Sequence, residues 1–429
     1  MGKTASCTDG AWDPGLFARN HRLVLKTFIH GINFAPEMIG VGRYTGELAE
    51  HLSANGHNVE VVTAAPHYPG WTTQRPYSAW RYSNEMWNGV KVIRCPMLSH
   101  KPGRGIGRLL APLSFALMAA PVVLWRILRS RPDAVMCVEP TLFSAPAAVL
   151  GAKLVGARCV LHVQDLEVDA AFAVGHLRGG FAQRVALGFE RWMLRCFDRI
   201  VTISQRMRER LASKGISSER IAVVRNWVDL SAIKPLIGPN AFRQQLGLSD
   251  DAFVVLYGGH IGAKQALHLV FEAAESLAAH SSIHFVIAGD GPLKDQFKAR
   301  FGHLPNVRFL PLQPEEKLCE LLNLADLHVL PQDGSAADLM LPSKLGAMLA
   351  SGKPVLVQAN EGTELHDILR GHAILVGPGD VHGLTAALLD NAKPESRRSS
   401  SRHLADIFAK STNLGLFLTE ILPSNSHKT

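Results

Sequence analysis

Apolar residues come along this chain in short, nearly unbroken runs, separated by longer stretches in which they recur every three to four positions. The short runs predict strands and the longer stretches predict helices. In the first half the predicted strands cover residues 23–32, 59–65, 90–96, 133–139, 158–165, 199–204 and 221–226. Near-continuous apolar strands alternating with helices imply parallel sheets covered on both faces. The rhythm restarts at 253–262 and continues through 283–291, 307–312, 327–332, 354–359 and 373–378.

The restart follows NWVDLSAIKPLIGPN (226–240), a linker-like stretch with two prolines. An α/β fold of two Rossmann-like domains, joined near 227–245, is therefore expected. The reading divides the chain into an irregular tail (1–22), a first domain (23–230), a second domain (231–395) and a C-terminal helix and tail (396–429) that packs back across the domains. Ligands of open α/β sheets sit beyond the carboxyl ends of the strands, so the cleft between the domains is the expected site.

Residues 109–128 (LLAPLSFALMAAPVVLWRIL) are nearly all apolar and long enough to span a bilayer. Pro112 and Pro121 interrupt them, and Arg104, Arg108, Arg126, Arg129 and Arg131 flank them. A single span would put the two halves of one domain on opposite sides of a membrane. A helix lying on or embedded in an anionic membrane surface is the expectation, with a buried core helix as the alternative.

Composition narrows the partners. Of 429 residues 47% are hydrophobic, enough for sizeable cores, and the net charge of +8 favours an anionic partner. No zinc-finger spacing, RNA-binding signature or long basic run points to nucleic acid. The first 22 residues lack the apolar core of a signal peptide. The six cysteines are scattered, without a CxxC, which fits reduced, buried thiols in a cytosol.

Four segments carry chemistry. DLMLPSKLGAM (338–348) follows a predicted strand and opens a helix. Ser343 has the side chain of an N-cap and Lys344 adds a charge, so together with Asp338 they suggest a diphosphate seat. HGINFAPEMIGVGRYTGELAEHL (30–52) carries Gly40 and Gly42 at a βα turn, where backbone amides can approach phosphate, although it is not a GxGxxG. LHVQDLEVDA (161–170) puts His162 and Asp165 at a strand end, with Glu167 and Asp169 nearby, a setting for proton transfer or hydroxyl binding. YGGHIGAKQ (257–265) combines Gly258, Gly259 and Gly262 with His260 and Lys264, the compact cations a departing diphosphate needs. AGDGP (288–292), with Gly291, is a further tight turn that would line a nucleotide. No DxD metal seat is visible, and no metal cofactor is expected.

These segments, together with TAAPHYPGW (63–71), YSAWRY (77–82), PTLFSAPA (140–147) and ASGKPVL (350–356), resemble glycosyltransferase family 4 over roughly residues 23–395. The resemblance is to its bacterial polysaccharide branch, which includes the colanic acid fucosyltransferase. It implies the GT-B fold, with two Rossmann-like domains facing each other across a cleft. It also implies a retaining hexosyltransferase that uses a GDP- or UDP-sugar, fucose or a related deoxy or amino sugar favoured. The implied acceptor is a polyprenyl-diphosphate-linked saccharide, in exopolysaccharide or O-antigen synthesis at the inner face of the bacterial plasma membrane.

By resemblance, Gly40 and Gly42 face the donor phosphates, His162 lies near the donor sugar, and Lys264 binds the diphosphate. His260 stands where the family usually has arginine. Leu339 and Ala347 stand where many members have paired glutamates, so Asp338, Ser343 and Lys344 are the candidate substitutes. Glu364 matches a later family glutamate. Two other readings fit the architecture: a nucleotide-sugar 2-epimerase, which needs neither membrane nor acceptor, and a non-catalytic subunit of a polysaccharide assembly.

Overall fold

The computed structural model describes residues 24–37, 40–68, 70, 72–98, 110–140, 142–166, 181–333, 341–393 and 401–422. The first domain is built on an eight-stranded sheet, β1 (Lys26–His30), β2 (Asn58–Ala64), β3 (Ser83–Trp87), β4 (Val90–Cys95), β5 (Ala134–Glu139), β6 (Arg158–Val163), β7 (Arg199–Thr202) and β8 (Ile221–Val223). Its order is β3-β4-β2-β1-β5-β6-β7-β8, and only β3 runs antiparallel, on the edge. The second domain holds a parallel six-stranded sheet, β9 (Phe253–His260), β10 (Ile283–Asp290), β11 (Val307–Leu310), β12 (Leu327–Leu330), β13 (Val355–Gln358) and β14 (Ile374–Val376), ordered β11-β10-β9-β12-β13-β14. Both orders place the first strand of each half in the interior of its sheet, so the loops after β1 and β9 emerge at the switch points where ligands bind.

All of the strands predicted from the apolar runs are present, and β3 is the addition. Its sequence, SNEMW, is polar and mostly exposed, so it lacks the apolar run that marks the others. Asn88 and Gly89 both take left-handed backbone between β3 and β4, the signature of a tight hairpin.

The helix Leu110–Ser130 runs straight through both prolines of the apolar stretch. Phe115, Ala119, Val123 and Ile127, spaced one turn apart, form a stripe buried in the core of the first domain. Ile127 packs on Gly151 of the neighbouring helix Ala145–Val155, where a side chain at 151 would meet it at 3.1 Å. The opposite face is open: Leu117 is 72% and Trp125 57% exposed, with Leu113, Met118 and Leu128 beside them. One face is thus domain core and the other is unpartnered, which is incompatible with a span surrounded by lipid.

The C-terminal helix Lys410–Ile421 returns to the first domain. Leu414, Phe417 and Ile421 enter the core behind β1, β5 and β6. The backbone of Val228 bonds Phe408 and Lys410 on the way, so the linker and the returning segment are laced together.

Candidate active site

The loops that face the cleft from the first domain are organised by a residue the sequence reading passed over. Glu37 is buried, and its Oε1 accepts from the amides of His67 (3.0 Å) and Tyr68 (3.1 Å). Its Oε2 accepts from Asn33 Nδ2 (2.9 Å). One carboxylate thereby joins the loop after β1 to the loop after β2. Gly42 is glycine because Glu37 fills its side-chain space: a Cβ there would overlap Oε2 and sit 2.8 Å from Glu37 Cβ. Gly40 takes φ +69°, left-handed backbone that favours glycine, and caps the helix Val41–Ala54 over the Tyr68 ring. Arg94, fully buried, adds a second staple by donating to the carbonyls of Ala64 (3.1 Å) and Ala35 (2.6 Å).

The second domain presents the turn Gly258–Gln265. Tyr257, at the buried end of β9, donates its hydroxyl to the His260 carbonyl (2.6 Å). Gly259 takes φ +137° and leaves room for Lys344, whose Nζ would lie 3.6 Å from a Cβ at that position. The Lys344 ammonium sits 3.9 Å from the centroid of the Tyr257 ring. Among the described residues it has no carboxylate partner, and burial pulls its pKa down to about 7. Burial and the Lys344 charge also lower His260, with Asp290 opposing them. Gly291 packs against the same turn: a Cβ there would overlap the Ile261 carbonyl oxygen. His260 Nδ1, Gln265 Oε1 and Gln332 Oε1 are buried without a hydrogen-bond partner. Buried polar atoms are nearly always paired, so such a cluster at a cleft turn points to a ligand that pairs them.

Across the cleft the two domains meet at named contacts. Burial raises the Asp165 carboxyl, and the Lys264 charge of the second domain works against that rise. Tyr44, four residues after Gly40, bonds the Ser343 side chain, and Arg43 Nη2 lies 3.3 Å from Glu315 Oε1. Lys264, His260, Lys344, Ser343, Gly259 and Gly291 therefore come together on one rim, with Asp165, Gly40 and Gly42 on the other.

Three expected site residues sit differently from the expectation. Ser343 does not cap a helix: the helix is Leu345–Ala350, Lys344 occupies the cap position without a side-chain cap bond, and the Ser343 hydroxyl is turned toward Tyr44. His162 is 1% exposed and packs edge-on to Phe417 of the C-terminal helix (4.6 Å). Its Nε2 is 3.1 Å from Gln164 Nε2, and Gln164 Oε1 accepts from Asn226. Burial lowers His162 to about 3, so it stays neutral, and its Nδ1 is buried without a hydrogen-bond partner among the described residues. Glu364 caps the seam between the domains, with Oε1 2.5 Å from Arg225 Nη1 and Oε2 accepting from the Arg206 amide (3.1 Å). Asp338, Leu339, Glu167 and Asp169 lie outside the described residues.

Comparison with known proteins agrees with this architecture. A glycosyl transferase 4-like domain matches residues 40–227, and a glycosyl transferases group 1 domain matches residues 252–393. The chain is 40% identical over 375 residues to WcaI of Escherichia coli (strain K12), a protein assigned as a colanic acid biosynthesis glycosyl transferase, covering 85% of this chain and 91% of that protein. It is 27% identical over 386 residues to a glycogen synthase of Mycobacterium tuberculosis, covering 85% and 86%. Among solved structures it superposes on WaaG, a glycosyltransferase involved in lipopolysaccharide biosynthesis, with a TM-score of 0.62 at 17% identity, covering 93% of this chain and 100% of that one. It also superposes on Anabaena HepE in complex with UDP-glucose, with a TM-score of 0.63 at 16% identity, covering 92% and 99%.

Proposed function

The chain belongs to glycosyltransferase family 4, with the GT-B fold, and from that premise we propose that it moves a sugar from a nucleotide-sugar donor to a lipid-linked saccharide during bacterial polysaccharide assembly. The observation that carries the reading is the cationic turn of the second domain. His260, Lys264 and Lys344 converge where unpaired buried polar atoms await a partner, opposite Asp165. A nucleoside diphosphate bound at that rim places its diphosphate against the cations and its sugar toward the first domain.

In the proposed reaction the acceptor hydroxyl oxygen bonds to the anomeric carbon on the face the diphosphate leaves, so configuration is retained. The carbon–oxygen bond to phosphate breaks and its electron pair departs with the diphosphate, which also takes the acceptor proton. Lys264 and Lys344 stabilise the charge that develops on that diphosphate, in the place a metal ion would hold. Asp165, on which the Lys264 charge acts, is assigned to the side where the sugar carbon becomes electron-poor. His162 acts through Gln164 as a positioning group.

The similarity to WcaI favours a colanic-acid-type polysaccharide, and the motif resemblance described above is what favours fucose or a related deoxy or amino sugar as the group transferred. The HepE structure supports a nucleotide-sugar donor, since it was solved with UDP-glucose. The exposed face of the helix Leu110–Ser130, with Leu117, Trp125, Arg129 and Arg131, fits an anionic bilayer, which brings the first domain to its lipid-linked acceptor at the cytoplasmic face of the membrane. Nucleoside diphosphate release from a panel of GDP-, UDP- and dTDP-sugars, with and without a lipid-linked acceptor extract, tests the reading. Acceptor-dependent release from one donor class is expected. Donor conversion without any acceptor overturns it.

A further inference from the structure

Tyr257 touches both cationic arms of the donor rim. It is fully buried, the last buried residue of β9 before the strand emerges at Gly258–His260. Its hydroxyl donates to the His260 carbonyl at 2.6 Å, which fixes the turn carrying His260. Its ring face lies under the Lys344 ammonium at 3.9 Å from the centroid. Gly259 takes part as well, because the Lys344 chain passes 3.6 Å from where a side chain would project.

We propose that Tyr257 is the positioning residue of the diphosphate subsite: its ring seats Lys344 and its hydroxyl holds the His260 turn, so that one buried side chain aims cations from two separate segments at the same ligand. The proposal rests on the nucleotide-sugar reading above.

The surroundings leave the ring as the seat. His260 and Lys264 on the β9 turn are cationic or neutral and repel or ignore the ammonium. Asp290, at the end of β10, acts on His260, and Asp165, from the first domain, acts on Lys264. Ser343, next to Lys344, is engaged with Tyr44. Among the described residues no carboxylate pairs with Lys344, and a desolvated ammonium over a tyrosine face is a recognised attractive geometry. Burial raises the Tyr257 phenol, so it remains a protonated donor to the His260 carbonyl. Burial also lowers Lys344, and the negative charge of an arriving diphosphate favours its ammonium form. A tyrosine kept only to fill the core would need neither the ring-to-ammonium alignment nor the carbonyl bond.

The test is a double-mutant cycle read by calorimetric binding of UDP, GDP and dTDP to the full chain. Tyr257→Leu removes the seat and is expected to weaken binding of the accepted nucleotide roughly 3- to 30-fold. If Tyr257 acts through Lys344, Tyr257→Leu adds little in a Lys344→Met background. Additive losses, or a Tyr257→Leu protein that binds like wild type, overturn the proposal. Tyr257→Phe, which keeps the ring, covers the case in which Tyr257→Leu does not fold. It should retain full coupling to Lys344 and lose only the part of the affinity that His260→Ala also loses; a Phe variant uncoupled from Lys344 overturns the proposal. If the wild-type protein binds none of the three nucleotides, the donor reading itself fails, an outcome distinct from binding without coupling.

Discussion

The carboxylate of Glu37 occupies the volume that any side chain at Gly42 would need. The glycine loop of the first domain is therefore shaped around a buried acid, which in turn holds the amides of His67 and Tyr68. Gly42→Ala should cost about 1–3 kcal/mol through overpacking and should disturb both loops. Glu37→Gln keeps the size and one strong acceptor oxygen, so it should fold and yet raise the acceptor KM more than the donor KM. Denaturant midpoints and separate donor and acceptor titrations check both. Equal effects on the two KM values would show that the staple does not serve the acceptor side.

The Lys264 charge acts on Asp165 from the turn that also carries His260. Lys264→Ala should lower turnover on the order of 10²-fold, the loss typical of one preorganised charge-stabilising group. Steady-state rates with a saturating donor check this. Full turnover would remove Lys264 from the diphosphate.

Lys344 carries a folded-state pKa near 7 against 10.5 in the unfolded chain. Between those values the unfolded chain binds a proton that the folded chain does not, so this group adds stability as pH rises through the window and costs stability below about pH 7. The stability gained by Lys344→Met over wild type should therefore be largest near pH 6 and shrink by pH 9. Urea denaturation of both proteins at the two pH values reads the difference; a gain independent of pH would contradict a partly buried ammonium with no carboxylate partner among the described residues.

Glu364 has Arg225 on one oxygen and the Arg206 amide on the other. Glu364→Gln should lower stability by about 1–3 kcal/mol, because it weakens a charge-assisted contact across the domain seam. Nucleotide affinity should stay unchanged. Lost affinity with unchanged stability would return Glu364 to the donor site.

Leu117 and Trp125 project from the open face of the helix Leu110–Ser130. Substituting both with aspartate removes apolar surface without touching the buried Phe115–Ile127 stripe. Binding to vesicles containing phosphatidylglycerol should fall sharply while release of nucleoside diphosphate with a water-soluble acceptor persists. Unchanged vesicle binding would rule out this face as the membrane contact.

The parallel strands were legible because burial on both faces writes them as unbroken apolar runs, and β3 was hidden because an exposed edge strand does not. Its hairpin signal, Asn88-Gly89, was present in the sequence. The cationic turn could be found from YGGHIGAKQ, since glycines and cations were adjacent in sequence. Glu37 and Tyr257 escaped notice because their roles depend on partners such as His67 and Lys344, brought near only by folding. The burial of His162 against Phe417 is likewise not written in the sequence, because a strand-end position does not reveal which elements pack on it.

The most direct test of the account is nucleoside diphosphate release by the wild-type protein and by Lys264→Ala, run with each donor class, with and without lipid-linked acceptor, and in the presence of chelator. The account predicts release from a single donor class that requires the acceptor, survives the chelator and collapses in Lys264→Ala. Release that needs no acceptor, or that Lys264→Ala leaves intact, would contradict it.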